Sequence, residues 1–174
     1  MTDSTEHPVP QPSERAALTN LDEEGQARMV EVGGKSNTRR SATARAVVEL
    51  TEEVRGLLLR GELPKGEALA VARIAGIQAA KETSRLIPLC HPLALSGVEV
   101  RFAPVGEASV EVLVTARCTG PTGVEMEAMA GASVAALTLY DMCKAMVRGA
   151  RIGSIELVSK RGGASGEWLR GSPE

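Results

Sequence analysis

Two alternating segments separated by a short turn constrain the fold of this chain more than any other feature. In residues 95–102, Val98 and Val100 fall on one face and charged residues fall on the other. Residues 108–118 repeat this alternation around a series of valines, with the two-residue period of a half-buried strand. Because residues 104–107 place proline and glycine between the two segments, we predict an antiparallel β-hairpin.

Helical segments flank the hairpin on both sides. Thr51, followed by two glutamates, predicts a helix N-cap with acidic residues near the positive end of the helix dipole. Gly61 marks the end of that helix. Alanine-rich residues 66–86 predict a second helix, and residues 124–148 predict a third, longer one.

The order of the predicted elements indicates the fold class. With strands also predicted at residues 42–50 and 152–160, the order is strand, helix, helix, strand, strand, helix, strand. It is typical of an α+β sandwich, in which an antiparallel sheet has helices packed on one face. Residues 1–28, rich in proline, serine and acids, predict a disordered acidic tail. The folded domain would then span residues 29–168, and residues 169–174 would form a C-terminal tail.

Composition disfavours several classes of function. The net charge is −2 and only Phe102, Tyr140 and Trp168 are aromatic, so we expect no nucleic-acid partner. The apolar runs are too short for a membrane span, and we see no signal peptide. Three cysteines without C-x-x-C spacing predict neither a disulfide framework nor a metal site. We therefore expect a reducing, cytoplasmic location.

Polar side chains among small apolar residues indicate a pocket for an anionic ligand. His91 lies between Pro88 and Pro92 in a rigid loop, a setting that often carries function, although a structural role stays open. Asp141 and Lys144 share one face of the longest predicted helix. Their apolar neighbours would partly desolvate them, which favours a functional role over a surface ion pair.

The long helix also begins with two acidic residues. Glu125 and Glu127 are two residues apart, so they should point in nearly opposite directions, one capping the helix and the other facing a ligand. Glu127 lies fourteen residues before Asp141, or about 21 Å along a helix. They cannot flank one reacting atom within a chain, so either the ligand is long or subunits share the site.

Several cations accompany these segments, and each alone is typical of a solvated surface. Residues 162–166, rich in glycine, resemble a nest of backbone N–H groups for an anion. The cations are Lys65, Arg73, Lys81, Arg39, Arg40, Lys160 and Arg161.

Four segments resemble the cyclic pyranopterin monophosphate synthase family, also called molybdenum cofactor biosynthesis protein C. They are residues 72–81 (ARIAGIQAAK), 86–92 (LIPLCHP), 123–127 (GVEME) and 135–144 (AALTLYDMCK). The resemblance covers residues 29–168. It implies a ferredoxin-like fold and a homohexamer, a trimer of dimers, with active sites at a subunit interface.

The resemblance also implies a phosphorus-oxygen lyase of molybdenum cofactor biosynthesis. Its substrate would be (8S)-3′,8-cyclo-7,8-dihydroguanosine 5′-triphosphate, and its products cyclic pyranopterin monophosphate (precursor Z) and diphosphate. We expect no cofactor, and whether a divalent cation accompanies the triphosphate is left open. A non-catalytic, ferredoxin-like module that binds small anions is the alternative, and an RNA-binding domain is a further one.

The same resemblance implies roles for individual residues. The catalytic residues would be Asp141, Lys144 and Lys65. The substrate contacts would be Leu89, Cys90, His91, Met126 and Glu127, and the further pocket positions Arg40, Lys81, Glu125 and Lys160. In a mechanism of this kind the two lysines act as acid and base with pKa values lowered towards neutrality, and Asp141 orients and tunes Lys144. His91 and Glu127 hold the guanine-derived ring, and cations surround the leaving diphosphate.

Overall fold

The chain alternates strands and helices in the order that its sequence predicts. The structure, a computed structural model, describes residues 20–22, 24–164 and 166–171. The strands are β1 (Thr38–Glu49), β2 (Leu95–Val105), β3 (Ser109–Gly120), β4 (Arg151–Arg161) and β5 (Glu167–Leu169). The helices are α1 (Glu52–Arg60), α2 (Ala68–Lys81), α3 (Thr83–Leu86) and α4 (Glu125–Cys143).

The five strands form one antiparallel sheet in the order β2-β3-β1-β4-β5. Strands β1 and β2 are consecutive in the chain, yet β3 lies between them. This split arrangement, repeated by β3, α4 and β4, is that of the ferredoxin-like fold. The predicted α+β class is therefore confirmed.

One face of the sheet carries the core. Alternate residues of β1 and β3, from Ala42 to Val48 and from Val110 to Ala116, are almost completely buried, and α4 packs across β1, β3 and β4. The predicted hairpin is confirmed as β2 and β3. Its turn is tighter than predicted, because Pro104 and Val105 still pair with β3 and the chain reverses at Gly106, where φ is 58°.

Helix α1 begins after the N-cap threonine and ends at the glycine that the sequence predicted. The Val54 N–H donates to Thr51 Oγ1 at 3.3 Å. Gly61 closes the helix in the left-handed region, with φ of 71°, a conformation that glycine adopts without steric cost.

Helices α2 and α4 touch through glycines. A Cβ atom on Gly131 would lie 2.9 Å from Val114 Cγ1 and 3.1 Å from the Gly76 carbonyl oxygen. A Cβ atom on Gly76 would lie 3.0 Å from the Gly131 carbonyl oxygen. The two backbones can therefore approach each other and the sheet only because neither position carries a side chain.

Three predicted boundaries were wrong. The second helix divides at Glu82, where the buried Thr83 hydroxyl donates to the carbonyl groups of Ala79 and Ala80 and satisfies the end of α2. Helix α4 ends at Cys143, because the following turns bring Val147 back into the core. The chain after β4 forms strand β5, which is too short to show an alternating pattern.

Residues 1–19 and 23 of the predicted N-terminal tail and residues 172–174 of the predicted C-terminal tail lie outside the described residues. Within the described part, the Arg28 N–H donates to the Asn20 carbonyl oxygen at 2.9 Å, and Leu21 bridges to Ala27. The disordered acidic tail stays a prediction. Among the described residues no helix is long and apolar enough to cross a membrane.

We predict that Gly131→Val lowers the free energy of unfolding by about 1–3 kcal/mol, because the added side chain overpacks the contact between α2, α4 and β3. Gly149→Val is the control, since a Cβ atom there meets no atom within 4 Å, and it should change the free energy by at most about 0.5 kcal/mol. Denaturant unfolding measures both. Equal stability of the two variants would contradict the packing argument.

Candidate active site

A cavity of about 440 Å³ lies at the N-terminal end of α4. All six residues that the sequence predicted as ring or substrate contacts in the loop before β2 and at the start of α4 line it. They are Leu89, Cys90, His91, Glu125, Met126 and Glu127.

 Two motif segments, distant in sequence, therefore meet at one cavity together with the chain that precedes β1.

Sequence reasoning missed most of the remaining lining residues. They are Asn20, Val30, Val32, Lys35, Leu93 and Thr122, whereas Gly123 opens the motif at residues 123–127. Most are small or apolar residues in segments without a periodic pattern, and Asn20 falls in the part that the sequence predicted as tail. The glycine pair before Lys35 is the one signal of a turn in this region.

Glu127 is the buried carboxylate of the cavity, with only 4% of its surface exposed. Burial raises the pKa of Glu127, and the nearby charge of Glu125 raises it further, while a hydrogen bond to its own backbone N–H acts in the opposite direction. A carboxyl group with a raised pKa can hold or release a proton closer to neutral pH than an exposed one. The position thus suits proton exchange or hydrogen bonding with a ligand.

Glu125 and Glu127 both line the cavity, although residues two apart in a regular helix point in nearly opposite directions. Glu125 is the first residue of α4 and its carboxylate lies against Gly123, where any Cβ atom would overlap it. There it pairs with Lys160 at 3.3 Å. The two carboxylates thus share the cavity but differ in burial, because Glu127 is buried and Glu125 is only partly so.

His91 is half-buried and also lines the cavity. Its Nε2 atom lies 2.7 Å from the Val30 carbonyl oxygen. Because a carbonyl oxygen can only accept, Nε2 carries the proton and donates it, and in the neutral ring Nδ1 is left as an acceptor. Burial raises the pKa of the neighbouring Cys90 thiol, as does the charge of Glu127, and both effects disfavour the thiolate form that a nucleophilic cysteine needs.

A second cluster lies at the C-terminal end of α4. Lys144 Nζ is 2.7 Å from Asp141 Oδ1. Lys65 Nζ donates to the Asp141 carbonyl oxygen at 2.8 Å and lies 3.5 Å from Oδ2. The structure therefore brings the three residues predicted as catalytic together, with Asp141 in contact with both lysines.

The electrostatics of this cluster differ from the prediction. The hydrogen bond from Lys144 lowers the pKa of Asp141, with a smaller contribution from Lys65. The same hydrogen bond raises the pKa of Lys144, instead of lowering it towards neutrality. The expected desolvation is also wrong for the single chain, because the side chains of Asp141 and Lys144 are 55% and 53% exposed on the outer face of α4.

The two clusters do not meet within one chain. Glu127 and Asp141 lie on one unbroken helix, so their backbones are about 21 Å apart. One end of α4 carries a cavity lined by carboxylates, and the other carries an exposed group with two lysines. A ligand that uses both must be long, or it must bind between chains.

The other predicted pocket residues surround the cavity or support it. The Arg40 guanidinium donates to the carbonyl oxygens of Gly120 and Pro121, both at 3.1 Å, and so holds the loop before α4. Lys160 reaches the cavity through its pairing with Glu125. Lys81 lines a neighbouring cavity that shares Leu93.

Two backbone N–H groups of the predicted anion nest already form hydrogen bonds within the loop. The Gly162 N–H donates to the Gly166 carbonyl oxygen at 3.0 Å, and the Gly166 N–H donates to Gly163 at 3.3 Å. Those two N–H groups are therefore used within the loop. Among the described residues, no three histidine, cysteine or acidic side chains are grouped so as to hold a metal ion.

The fold and these clusters define a ferredoxin-like α+β protein with a polar, ionisable cavity at the head of its central helix. Residues 29–163 match the MoaC family, and the chain belongs to that family. The resemblance seen in the motifs is thereby confirmed.

Relatives of this chain carry one name. A cyclic pyranopterin monophosphate synthase of Pelotomaculum thermopropionicum is 56% identical over 160 residues, 91% of this chain and 94% of the relative. The protein of that name from Chloroflexus aurantiacus is 54% identical, over 88% of this chain and 94% of the relative. A third, from Desulfitobacterium hafniense, is 50% identical over the same shares.

We predict that Glu127→Gln removes a pH dependence of stability. The pKa of Glu127 is raised above its ordinary value of 4.5, so the folded chain holds the proton more tightly than the unfolded chain. This contribution to stability is present below pH 4.5 and is lost as the pH rises through the raised pKa. The variant should therefore gain stability relative to the natural chain as the pH rises above 4.5, and the gain should level off beyond the raised pKa.

Denaturant unfolding across this pH range measures the difference. Glu107→Gln, which changes an exposed glutamate in the turn after β2, is the matched control and should follow the natural chain. Parallel profiles for Glu127→Gln and the natural chain would show that burial does not perturb this carboxyl group.

Proposed function

We propose that this chain is a cyclic pyranopterin monophosphate synthase of molybdenum cofactor biosynthesis. It would convert 3′,8-cyclo-7,8-dihydroguanosine 5′-triphosphate into cyclic pyranopterin monophosphate and diphosphate, as a phosphorus-oxygen lyase. The observation that carries the proposal is that both distant motif segments line one cavity, in a chain 56% identical to a relative of that name. The overall reaction is redox-neutral, so the proposal includes no cofactor, and a divalent cation with the triphosphate stays open.

The cavity suits the guanine-derived ring of this substrate. Such a ring presents several N–H donors, and the cavity offers carboxyl oxygens from Glu125 and Glu127 as acceptors. The Nδ1 atom of His91 adds another acceptor when the ring is neutral. Raised pKa values at buried carboxyl groups are typical of acid and base catalysts, and the raised pKa of Glu127 extends its role to proton exchange.

The cluster at the other end of α4 suits the chemistry of ring opening and phosphate transfer. Because Asp141 raises the pKa of Lys144, Lys144 would enter the reaction protonated, as a proton donor or as a cation beside the phosphates. Lys65 is fixed by the Asp141 backbone carbonyl and adds a second positive charge. Asp141 is placed to orient both lysines.

We propose that the two clusters meet across a subunit interface. The outward faces of α2 and α4 expose large apolar side chains, with Val71 at 48%, Ile74 at 67% and Leu137 at 56%. Leu137 lies one turn before Asp141 on the same face. Exposed apolar side chains of this kind favour covering by another copy, which would place the Asp141 cluster at the boundary between chains.

The proposed assembly is a homohexamer, a trimer of dimers, in the cytoplasm. Six chains of 18.2 kDa give about 109 kDa. The three cysteines are free, which agrees with a reducing compartment. Sedimentation analysis of the purified chain should give the mass of six copies, and a stable monomer would exclude the shared site.

Turnover of the purified chain with the cyclised guanosine triphosphate tests the function. Diphosphate release and oxidation of the product to its fluorescent pterin are followed together, and we expect them in equal amounts. Tight binding without either product would favour the alternative, a non-catalytic module that binds small anions. Absence of binding would exclude both functions.

Mixing inactive variants tests the shared site. Asp141→Asn and Glu127→Ala should each lose most turnover, since each removes one of the two clusters. If each site takes one cluster from each of two chains, co-refolding in equal amounts restores activity at about a quarter of the sites.

The control is a co-refolded mixture of Asp141→Asn chains and Lys65→Ala chains. Both changes fall in the same cluster, so no chain in this mixture supplies an intact Asp141 cluster. Activity should stay low in that mixture. Equal activity of the two mixtures would contradict the shared site, and near-normal turnover of Asp141→Asn alone would remove its catalytic assignment.

A further inference from the structure

We infer that Lys35 is a ligand-binding cation of the cavity and that His91 positions the segment that carries it. This segment, residues 29–35, is called the strap below. The inference rests on the proposed function, because it assigns Lys35 to a phosphate group of the nucleotide-derived substrate. Lys35 lies outside all four motif segments.

A turn within the strap places Lys35 at the cavity. The Lys35 N–H donates to the Val32 carbonyl oxygen at 3.0 Å, with Gly33 and Gly34 between them. This is the hydrogen bond of a four-residue turn, which brings its first and last residues close together. Val32 and Lys35 both line the cavity, as does Val30.

His91 ties the strap to the rest of the fold. Its Nε2–H donates to the Val30 carbonyl oxygen at 2.7 Å, between residues 61 positions apart in the chain. In the described part of the chain the strap belongs to no strand or helix. A single hydrogen bond from a half-buried side chain therefore has a large share in fixing its position.

The charges around the cavity call for a cation at this point. Among the described lining residues, Glu125 and Glu127 are acidic and Lys35 is the only lysine or arginine. Lys160 is close, but its charge is already paired with Glu125. That pairing offsets the charge of Glu125 as well, so Glu127 is the lining carboxylate without a cationic partner. When ionised, it would repel a phosphorylated molecule unless a further positive charge faces the ligand.

The position of Lys35 fits this task. Within the described residues, no carboxylate forms a salt bridge with it, and its side chain is exposed at the cavity rim. An ammonium group carries three donors and pairs with phosphate as a point charge. The geometry thus leaves Lys35 for an anionic group of the ligand.

Steady-state kinetics with the cyclised guanosine triphosphate test this role. Lys35→Met should raise KM roughly ten- to a hundred-fold, the range for loss of a charge-assisted hydrogen bond, and should leave kcat within about threefold. Lys35→Arg should restore most of the affinity. Arg151→Met, which removes a cation at the opposite end of β4 from Lys160, is the matched control and should leave KM unchanged.

Two results would overturn the inference. One is a KM of Lys35→Met within twofold of the natural chain, and the other is an equal loss of affinity in Lys35→Arg and Lys35→Met. If the natural chain does not turn over the substrate, the proposed function fails. Equilibrium dialysis of the same triphosphate then tests whether Lys35 binds an anionic ligand. Binding that Lys35→Met weakens would support the cation site, whereas unchanged or absent binding would exclude it.

A double-mutant cycle tests the positioning by His91. His91→Phe keeps an aromatic ring but removes the donor to Val30, so hydrogen exchange in residues 29–35 should become faster. If His91 positions Lys35, then Lys35→Met should raise KM far less in the His91→Phe chain than in the natural chain. Additive effects on KM together with unchanged exchange would show that His91 does not hold the strap.

Discussion

The close contact between α2 and α4 is the constraint on which the rest of the structure depends. Gly76 and Gly131 let the two backbones meet, and Val114 of the sheet lies against the same point. Later residues of α2 face earlier residues of α4, as Ala80 does with Gly131, so the helices run antiparallel. The start of α2 therefore meets the end of α4, which brings Lys65 to Asp141.

Helix α4 separates two chemical environments. Its N-terminal end is sunk into the fold, where Glu127 is buried and its pKa is raised. At its C-terminal end one face is exposed, and there Asp141 keeps a lowered pKa between two lysines. A rigid helix holds these groups about 21 Å apart, and this separation is the physical reason for proposing a site built from two chains.

Local signals predicted the elements well and their ends less well. Valine alternation predicted β2 and β3, and the capping threonine with its terminal glycine predicted α1. The end of α4 was wrong because Val147 turns back to fill the core, which is a tertiary effect. The pairing of Glu125 with Lys160 was not predicted, because Lys160 comes from another element.

The sequence by itself determined the fold class and the contact of Asp141 with Lys144, because these follow from period and spacing. That two motif segments would serve one site was implied by the resemblance to a known family. Tertiary structure decided which carboxylate is buried, which element meets Lys65, and that the chain before β1 closes the cavity. Those features depend on packing between residues far apart in the chain. No pattern within a short window specifies them, since burial and charge pairing are set by all neighbours at once.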